Sequence, residues 1–475
     1  MSDHAATPRF WAPISVLLCG AFVVALDNFI VNVAIPHLKT DFGASYASVQ
    51  LIVVAYGLAF GMTLITGGRL GDLYGRKRTF LLGLGGFTLA SLVCGLAPSP
   101  AILIVARLLQ GATGAVLHPQ IVAMLRVQIA PARRRFAFAL YGSALGLGAI
   151  AGQLLGGALV DWDLWGLGWR LVFLVNLPVG LVALPLAGLL LEETPRLGRV
   201  RFDLVGTLLA AATLGAVLTP LIVGREAGWP LWTWALLAAS VPLGIGFVRW
   251  EQELTWLGRA PLVDFRLLKA PAFVPGLILA ATFYTTLNSF YMALTMLQQL
   301  GLGATAFATG MVFLPLGICF LVGTLAAIRV GGRRTLDLGL GLTLVGYALL
   351  ASLGSVAGAD WHPDALVPGL AILGLGQGLF LTPLLNVVLT RVPAVDAGSA
   401  AGILATAQQA GGALGIAIIG LLFFGALDGG ADGFRHGFEL AARYAFGASI
   451  LCFVLLRRLG ASQRRAAPLG ETELA

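Results

Sequence analysis

Fourteen apolar runs of about 20 residues, each bounded by charged or Pro/Gly-rich turns, constrain this chain more than any other feature. A helical run of that length matches the hydrocarbon thickness of a bilayer. Inside that layer the backbone must satisfy its own polar groups, which a helix does within one segment. The expected spans are Ile14–Pro36, Val49–Gly67, Thr79–Leu96, Ala101–Leu125, Phe136–Val160, Leu171–Leu191, Leu204–Val223, Leu231–Val248, Phe273–Leu297, Ala306–Ile328, Leu338–Val356, Ala365–Leu389, Ala400–Phe424 and Phe438–Leu456. With 58% hydrophobic and 11% charged residues and a mean hydropathy of +0.91, the chain reads as an all-α polytopic membrane protein, not a soluble enzyme.

The net charge of +8 does not point to nucleic acid, because the basic residues sit in short loops between apolar runs and not on one solvated face. Alternate loops and the two ends carry 24 Lys and Arg residues; the intervening loops carry five, Lys39, Arg170, Arg225, Arg435 and Arg443. That asymmetry places both termini in the cytoplasm, which requires an even number of helices. Cys19, Cys94, Cys319 and Cys452 each lie alone in an apolar segment, so neither a disulfide framework nor a metal site follows. The apolar run after Arg9 is longer than a cleavable signal core and ends in no small-residue cleavage site, so it is kept as the first span.

Within that first span lie Asp27, Asn28 and Asn32. A carboxylate at mid-bilayer costs roughly 2.5–3.5 kcal/mol, so it is read as functional and facing a bundle interior or cavity. The competing reading is a structural carboxylate paired permanently with an Arg. Arg107 in the fourth span is the candidate partner, because the two residues lie at depths that differ by only ~5 Å at 1.5 Å per residue. Arg107, Gly111, Gly114 and His118 share one helical face, with Gln110 beside them, and Asn28, Asn32, Gln110 and His118 are candidates for the lining of a substrate cavity. His118 reads either as a proton relay or as a satisfied interfacial histidine.

The loop Gly68-Arg69-Leu70-Gly71-Asp72-Leu73-Tyr74-Gly75-Arg76-Lys77-Arg78 joins spans two and three. Gly68 and Gly75 allow a tight turn, while Asp72 can accept from Arg76 and its neighbours, a charge latch in which Lys77 also takes part. Gly332-Arg333-Arg334-Thr335 echoes Gly75-Arg76-Lys77-Arg78-Thr79 after the tenth span, which points to two six-helix halves with two helices inserted between them. In span five Gly148, Gly152 and Gly156 recur every four residues, with Gly157 beside them, and permit close helix packing. Span nine carries Tyr284, Asn288, Tyr291, Thr295 and Gln298 on one face. That stripe reads as a wall of a substrate cavity, with interhelical hydrogen bonding as the alternative. Gln377, Asn386, Gln408 and Gln409 are weaker candidates. The five histidines are scattered and no nucleophile, base or metal set clusters, so no enzymatic chemistry is expected.

The Gly68–Arg78 loop resembles the signature between helices two and three of the major facilitator superfamily. Ala106 to Ala115 resembles its Arg-containing motif, and Gly148 to Gly157 its antiporter motif, with Gln153 where the usual proline stands. Trp169–Gly180, Arg201–Gly206, Leu262–Leu267, Tyr291–Gly301 and Ala397–Gly402 extend the resemblance to the fourteen-helix drug:proton antiporter branch. The resemblance implies a 6 + 2 + 6 major facilitator fold: residues 1–195 as the N-terminal half, 196–250 as two added helices, 251–271 as a cytoplasmic linker, 272–460 as the C-terminal half and 461–475 as a tail. It implies a multi-pass, monomeric protein of the bacterial inner membrane that exports amphipathic cationic or neutral drugs in exchange for protons. Asp27 and Arg107 would couple the proton, and no cofactor or metal is needed beyond the proton gradient. A proton-coupled uptake carrier of the same fold is the alternative. No acidic residue lies deep in spans nine to fourteen, which argues against dications.

Overall fold

A computed structural model of the protein describes residues 8–129, 131–194, 203–259, 261–263, 265–267, 273–330, 332–353, 362–389, 397–427 and 431–465. Among these residues 14 helices are long and apolar enough to cross a membrane, and no strand occurs. The first half comprises α1 (Pro8–Phe42), α2 (Tyr46–Tyr74), α3 (Arg76–Gly95), α4 (Pro100–Gln128), α5 (Pro131–Trp162), and the sixth span built from α6 (Leu171–Leu174) and α7 (Asn176–Leu190). Then come α8 (Leu204–Val223) and α9 (Leu231–Trp256). The second half comprises α10 (Phe273–Met296, continued by a wider π turn over Leu297–Gly301), α11 (Ala306–Val330), α12 (Gly332–Ala351), α13 (Leu366–Leu389), α14 (Ala397–Gly425) and α15 (Ala431–Arg465).

The helices outrun the apolar stretches. Because α2 continues to Tyr74 and α3 begins at Arg76, the expected Gly68–Arg78 loop shrinks to one residue. Gly75 makes the turn, with φ 99°, a region that glycine enters without strain. Gly68 does not: it is helical, and its role is to face Pro119 of α4. Likewise α9 runs through Trp256, so the first residues of the expected 251–271 linker are helical, and α15 enters the expected tail. Arg196, Arg199, Arg201, Lys269, Arg391 and the tail beyond residue 465 lie outside the described residues.

Glycines set the closest helix approaches. A Cβ on Gly148 would stand 2.7 Å from Phe22 O, one on Gly152 2.8 Å from Leu26 O, and one on Gly156 2.7 Å from Ile30 Cγ1, so the stripe seats α5 on α1. Gly157 faces the other way, against Ala306 O of α11. Gly111 of α4 abuts Tyr56 O of α2 in the same manner.

Between halves, α5 packs on α11 and α2 on α14. On the face opposite the Arg-rich loops, Ala306 N–H and Phe307 N–H donate to Asp161 at 3.1 and 2.8 Å, Gln299 Nε2 donates to Val33 O at 2.9 Å, and Tyr46 stacks on Phe424 at 4.1 Å. The inserted pair α8 and α9 lies outside both halves; α8 touches α2 and α14, and almost none of α9 is buried.

The sequence echo has a structural counterpart. Lys77 Nζ donates to Gly188 O near the end of α7 at 2.7 Å, and Arg333 Nη2 donates to Leu456 O late in α15 at 3.0 Å. Each half thus ties the start of its third span to the end of its last.

Candidate functional site

Asp27 and Arg107 meet. Arg107 Nη1 donates to Asp27 Oδ2 at 2.7 Å, and both side chains are almost completely buried. The second carboxylate oxygen accepts from Gln110 Nε2 at 2.7 Å and Asn176 Nδ2 at 2.8 Å. Three donors and no acceptor thus point at the carboxyl, an arrangement that suits its ionised form. Helical spacing explains how α4 supplies two of them: Arg107 and Gln110 are three residues apart and project from one face. Ser91 of α3 holds both amides, at 2.6 Å from Gln110 Nε2 and 3.1 Å from Asn176 Nδ2. Arg107 Nη1 also reaches Gln110 Oε1 at 2.8 Å, and its guanidinium lies 4.3 Å from the Tyr56 ring centre and 5.7 Å from that of Phe173. Asn176 sits in a quoted motif but gave no sign of this role, because its partner comes from a different span.

A cavity of about 530 Å³ lies between the halves beside this cluster. Asn28, His118, Tyr284, Asn288 and Tyr291 line it. Asn32 does not: it borders a small side pocket of about 20 Å³ with Asn28, Asn288 and Gln409. Gln110 belongs to the Asp27 cluster and not to the cavity wall. Thr295 and Gln298 are buried elsewhere, Gln298 in the π turn, because the cavity ends at Tyr291, where the ring of Phe29 stands 5.8 Å away across the seam. Tyr141 and His118 Nε2 are 3.0 Å apart. Tyr56, Phe60, Tyr141 and Gln153 were missed as lining residues; only their spacing on helices known to face inward could have found them. Of the weaker candidates, Gln408 and Gln409 line the cavity and Gln377 reaches Tyr347 at 3.4 Å; the side chain of Asn386 lies outside the described residues.

At the turn between α2 and α3, Arg76 Nη2 donates to Asp72 Oδ1 at 3.1 Å. An acid that the sequence did not single out joins this turn. Glu193, just past α7, accepts from Lys77 N–H at 3.0 Å and Arg78 N–H at 3.2 Å, taking up donors that the start of α3 leaves free.

A family model described as Major Facilitator Superfamily matches residues 17–202 and 203–416. The chain belongs to that superfamily. It is 39% identical to a probable actinorhodin transporter of Streptomyces coelicolor over 91% of this chain and 77% of the relative. It is 36% identical to a puromycin resistance protein of Streptomyces alboniger over 97% and 93%. A bacterial homologue of the human drug peptide transporters has a TM-score of 0.69 at 16% identity, over 96% of this chain and 99% of that one, a likeness of fold alone. This major facilitator protein is therefore a membrane transporter and not an enzyme, and the 14 candidate spans among its described residues, with its bacterial relatives, place it as a multi-pass protein of the bacterial plasma membrane.

Proposed function

We propose that this transporter is a proton-coupled antiporter that exports amphipathic drugs or antibiotics by alternating access between its two six-helix halves. The observation that carries the reading is the adjacency of two unlike compartments: a buried Asp27–Arg107 ion pair, and an aromatic cavity of about 530 Å³ that Tyr56 walls off from it. The resistance and transport names of the relatives support a drug or antibiotic as the cargo.

In the cycle, Asp27 takes a proton from the outer side and releases Arg107. The freed cation disturbs the Tyr56 ring on which it stacks, and the cavity changes shape. Deprotonation toward the cytoplasm restores the pair. A potential of 100 mV supplies ~2.3 kcal/mol per charge moved, worth roughly fiftyfold in cargo gradient. A monomer suffices, because one chain supplies both halves.

The experiment is proton release from inside-out vesicles on adding lipophilic cations and neutral antibiotics, with native protein and Asp27→Asn. Cargo-driven dequenching of a pH dye in the native protein alone is expected. Equal responses in the variant would remove Asp27 from coupling, and cargo moving with the proton would make the protein an uptake carrier.

A further inference from the structure

We infer that the cargo is an uncharged, planar aromatic molecule bearing carbonyl and hydroxyl groups, and that Gln153 and Gln408, one from each half, are the side chains that read those groups. The inference deepens the export reading and rests on it for the direction of transport, but not for the binding chemistry.

The cavity contains no Asp, Glu, Lys or Arg among its lining residues. A cation that enters it leaves water and meets no countercharge, since Asp27 is fully buried outside the wall with its oxygens already taken by Arg107, Gln110 and Asn176. An anion fares no better, because Arg107 is committed to Asp27. An uncompensated buried charge is the costliest occupant such a site can hold. Eight aromatic rings line the cavity, among them Phe29, Phe60, Tyr284 and Tyr291, and offer faces and edges to a flat ring system. The volume is that of a site for a drug-sized molecule.

Against that apolar wall stand amide groups with nothing to bond. Gln153 is 4% exposed and neither its Nε2 nor its Oε1 has a partner; Gln408 is 9% exposed and its Nε2 has none. Both line the cavity. A site whose buried polar groups are left to the ligand rejects molecules that cannot complete them, which is how hydrogen-bonding sites discriminate strongly. Gln153 stands one turn before Gly157, the glycine of α5 that faces α11, and its backbone O lies 2.6 Å from a Cβ built on Gly310 of α11. A carboxamide carried at that seam lies where the two halves meet, so its bond to cargo changes as they move.

The test is equilibrium binding, by calorimetry, to the full-length protein in lipid nanodiscs. The probes are quinizarin, an uncharged planar dihydroxyquinone, and the cation tetraphenylphosphonium. Native protein is expected to bind quinizarin about tenfold tighter or more, and Gln153→Leu and Gln408→Leu are each expected to lower that preference about tenfold, the loss of one hydrogen bond that has no substitute. Gln153→Met, of similar length, serves if the leucine variant is not monodisperse. Absence of quinizarin binding, equal or tighter binding of the cation, or a preference that survives in both glutamine variants would overturn the inference. Native protein that prefers quinizarin in nanodiscs but shows no quinizarin-driven proton release from inside-out vesicles would overturn the export reading alone, so the two failures are distinguishable.

Discussion

The Tyr56 ring lies 4.3 Å from the guanidinium of Arg107 on one side and forms a wall of the central cavity on the other. It separates the ion pair from the cavity while touching both. Tyr56→Phe removes only a long bond to Val24 O, at 3.5 Å, and should transport like the native protein. Tyr56→Ala removes the wall. Water then reaches Asp27 whether or not cargo is present, and proteoliposomes of this variant should leak protons without cargo; an intact gradient would show that the ring is not the barrier.

Replacing Asp27 by Asn removes the countercharge of a buried Arg107. Breaking one partner of such a pair costs about 3–5 kcal/mol. Amides from Gln110 and Asn176 remain to hold the new side chain, so the loss should fall at the lower end of that range. The thermal midpoint should drop while the protein still inserts, and cargo-driven proton movement should vanish. Arg107→Gln in the Asp27→Asn background should recover most of the midpoint without recovering transport.

How much of this was legible depended on whether a residue's role was local. Asp27 and Arg107 stand out because a charge at membrane depth is expensive, and residue counting alone set them at similar heights. Asn176 did not stand out, because its use requires α7 to pack beside α1 and α3. Gly68 misled, since a glycine that frees a turn and one that admits a neighbouring helix look the same in sequence. The stripe on α10 was real, but periodicity defines a face and not how far the cavity extends along it. Tyr291 faces the central cavity while Thr295, one turn on, is sealed inside the second half.

Glu193 caps the start of α3 through two backbone N–H groups, and a Cβ on Gly75 would sit 2.6 Å from its carboxyl carbon. Loss of such a cap costs about 0.5–2 kcal/mol. Glu193→Ala should lower the thermal midpoint modestly and alter transport rate more than cargo affinity, because the cap lies far from the cavity. A change confined to affinity would contradict a latch role.

Gly152 presses on the backbone of α1: its Cβ would meet Leu26 O at 2.8 Å and Ile30 N at 3.1 Å. Main chain cannot rotate away as a side chain does. Gly152→Ala should therefore push α1 outward, at a cost of about 1–3 kcal/mol, and disturb the Asp27 cluster carried on that helix. Gly215→Ala in α8, with nothing within 4 Å of the added Cβ, should instead be neutral or stabilising by up to about 1 kcal/mol. Thermal unfolding of both variants distinguishes close packing from a general sensitivity to substitution at glycine.

Asp203 ties the inserted helices to the linker. It caps α8 through Gly206 N–H at 2.8 Å and accepts from Trp250 Nε1 at 2.8 Å and Leu262 N–H at 3.4 Å, while its carboxyl also bonds that of Glu251. Glu251 in turn holds Val263 N–H at 2.9 Å, and Arg69, beside the latch, donates to Pro261 O. Burial works to raise the Asp203 carboxyl, but the bonds from Glu251, Trp250, Gly206 and Leu262 outweigh it and leave the group below its ordinary value of 3.8. A carboxyl depressed in the folded state stabilises above its unfolded value and loses that contribution as pH falls through the folded one. The contribution of Asp203 should therefore hold from about pH 5 to neutral pH and disappear in stronger acid. Asp203→Ala should cost about 1–3 kcal/mol at neutral pH, with the deficit closing below that window. A deficit that instead grew on acidification would mean that Asp203 is protonated in the folded junction.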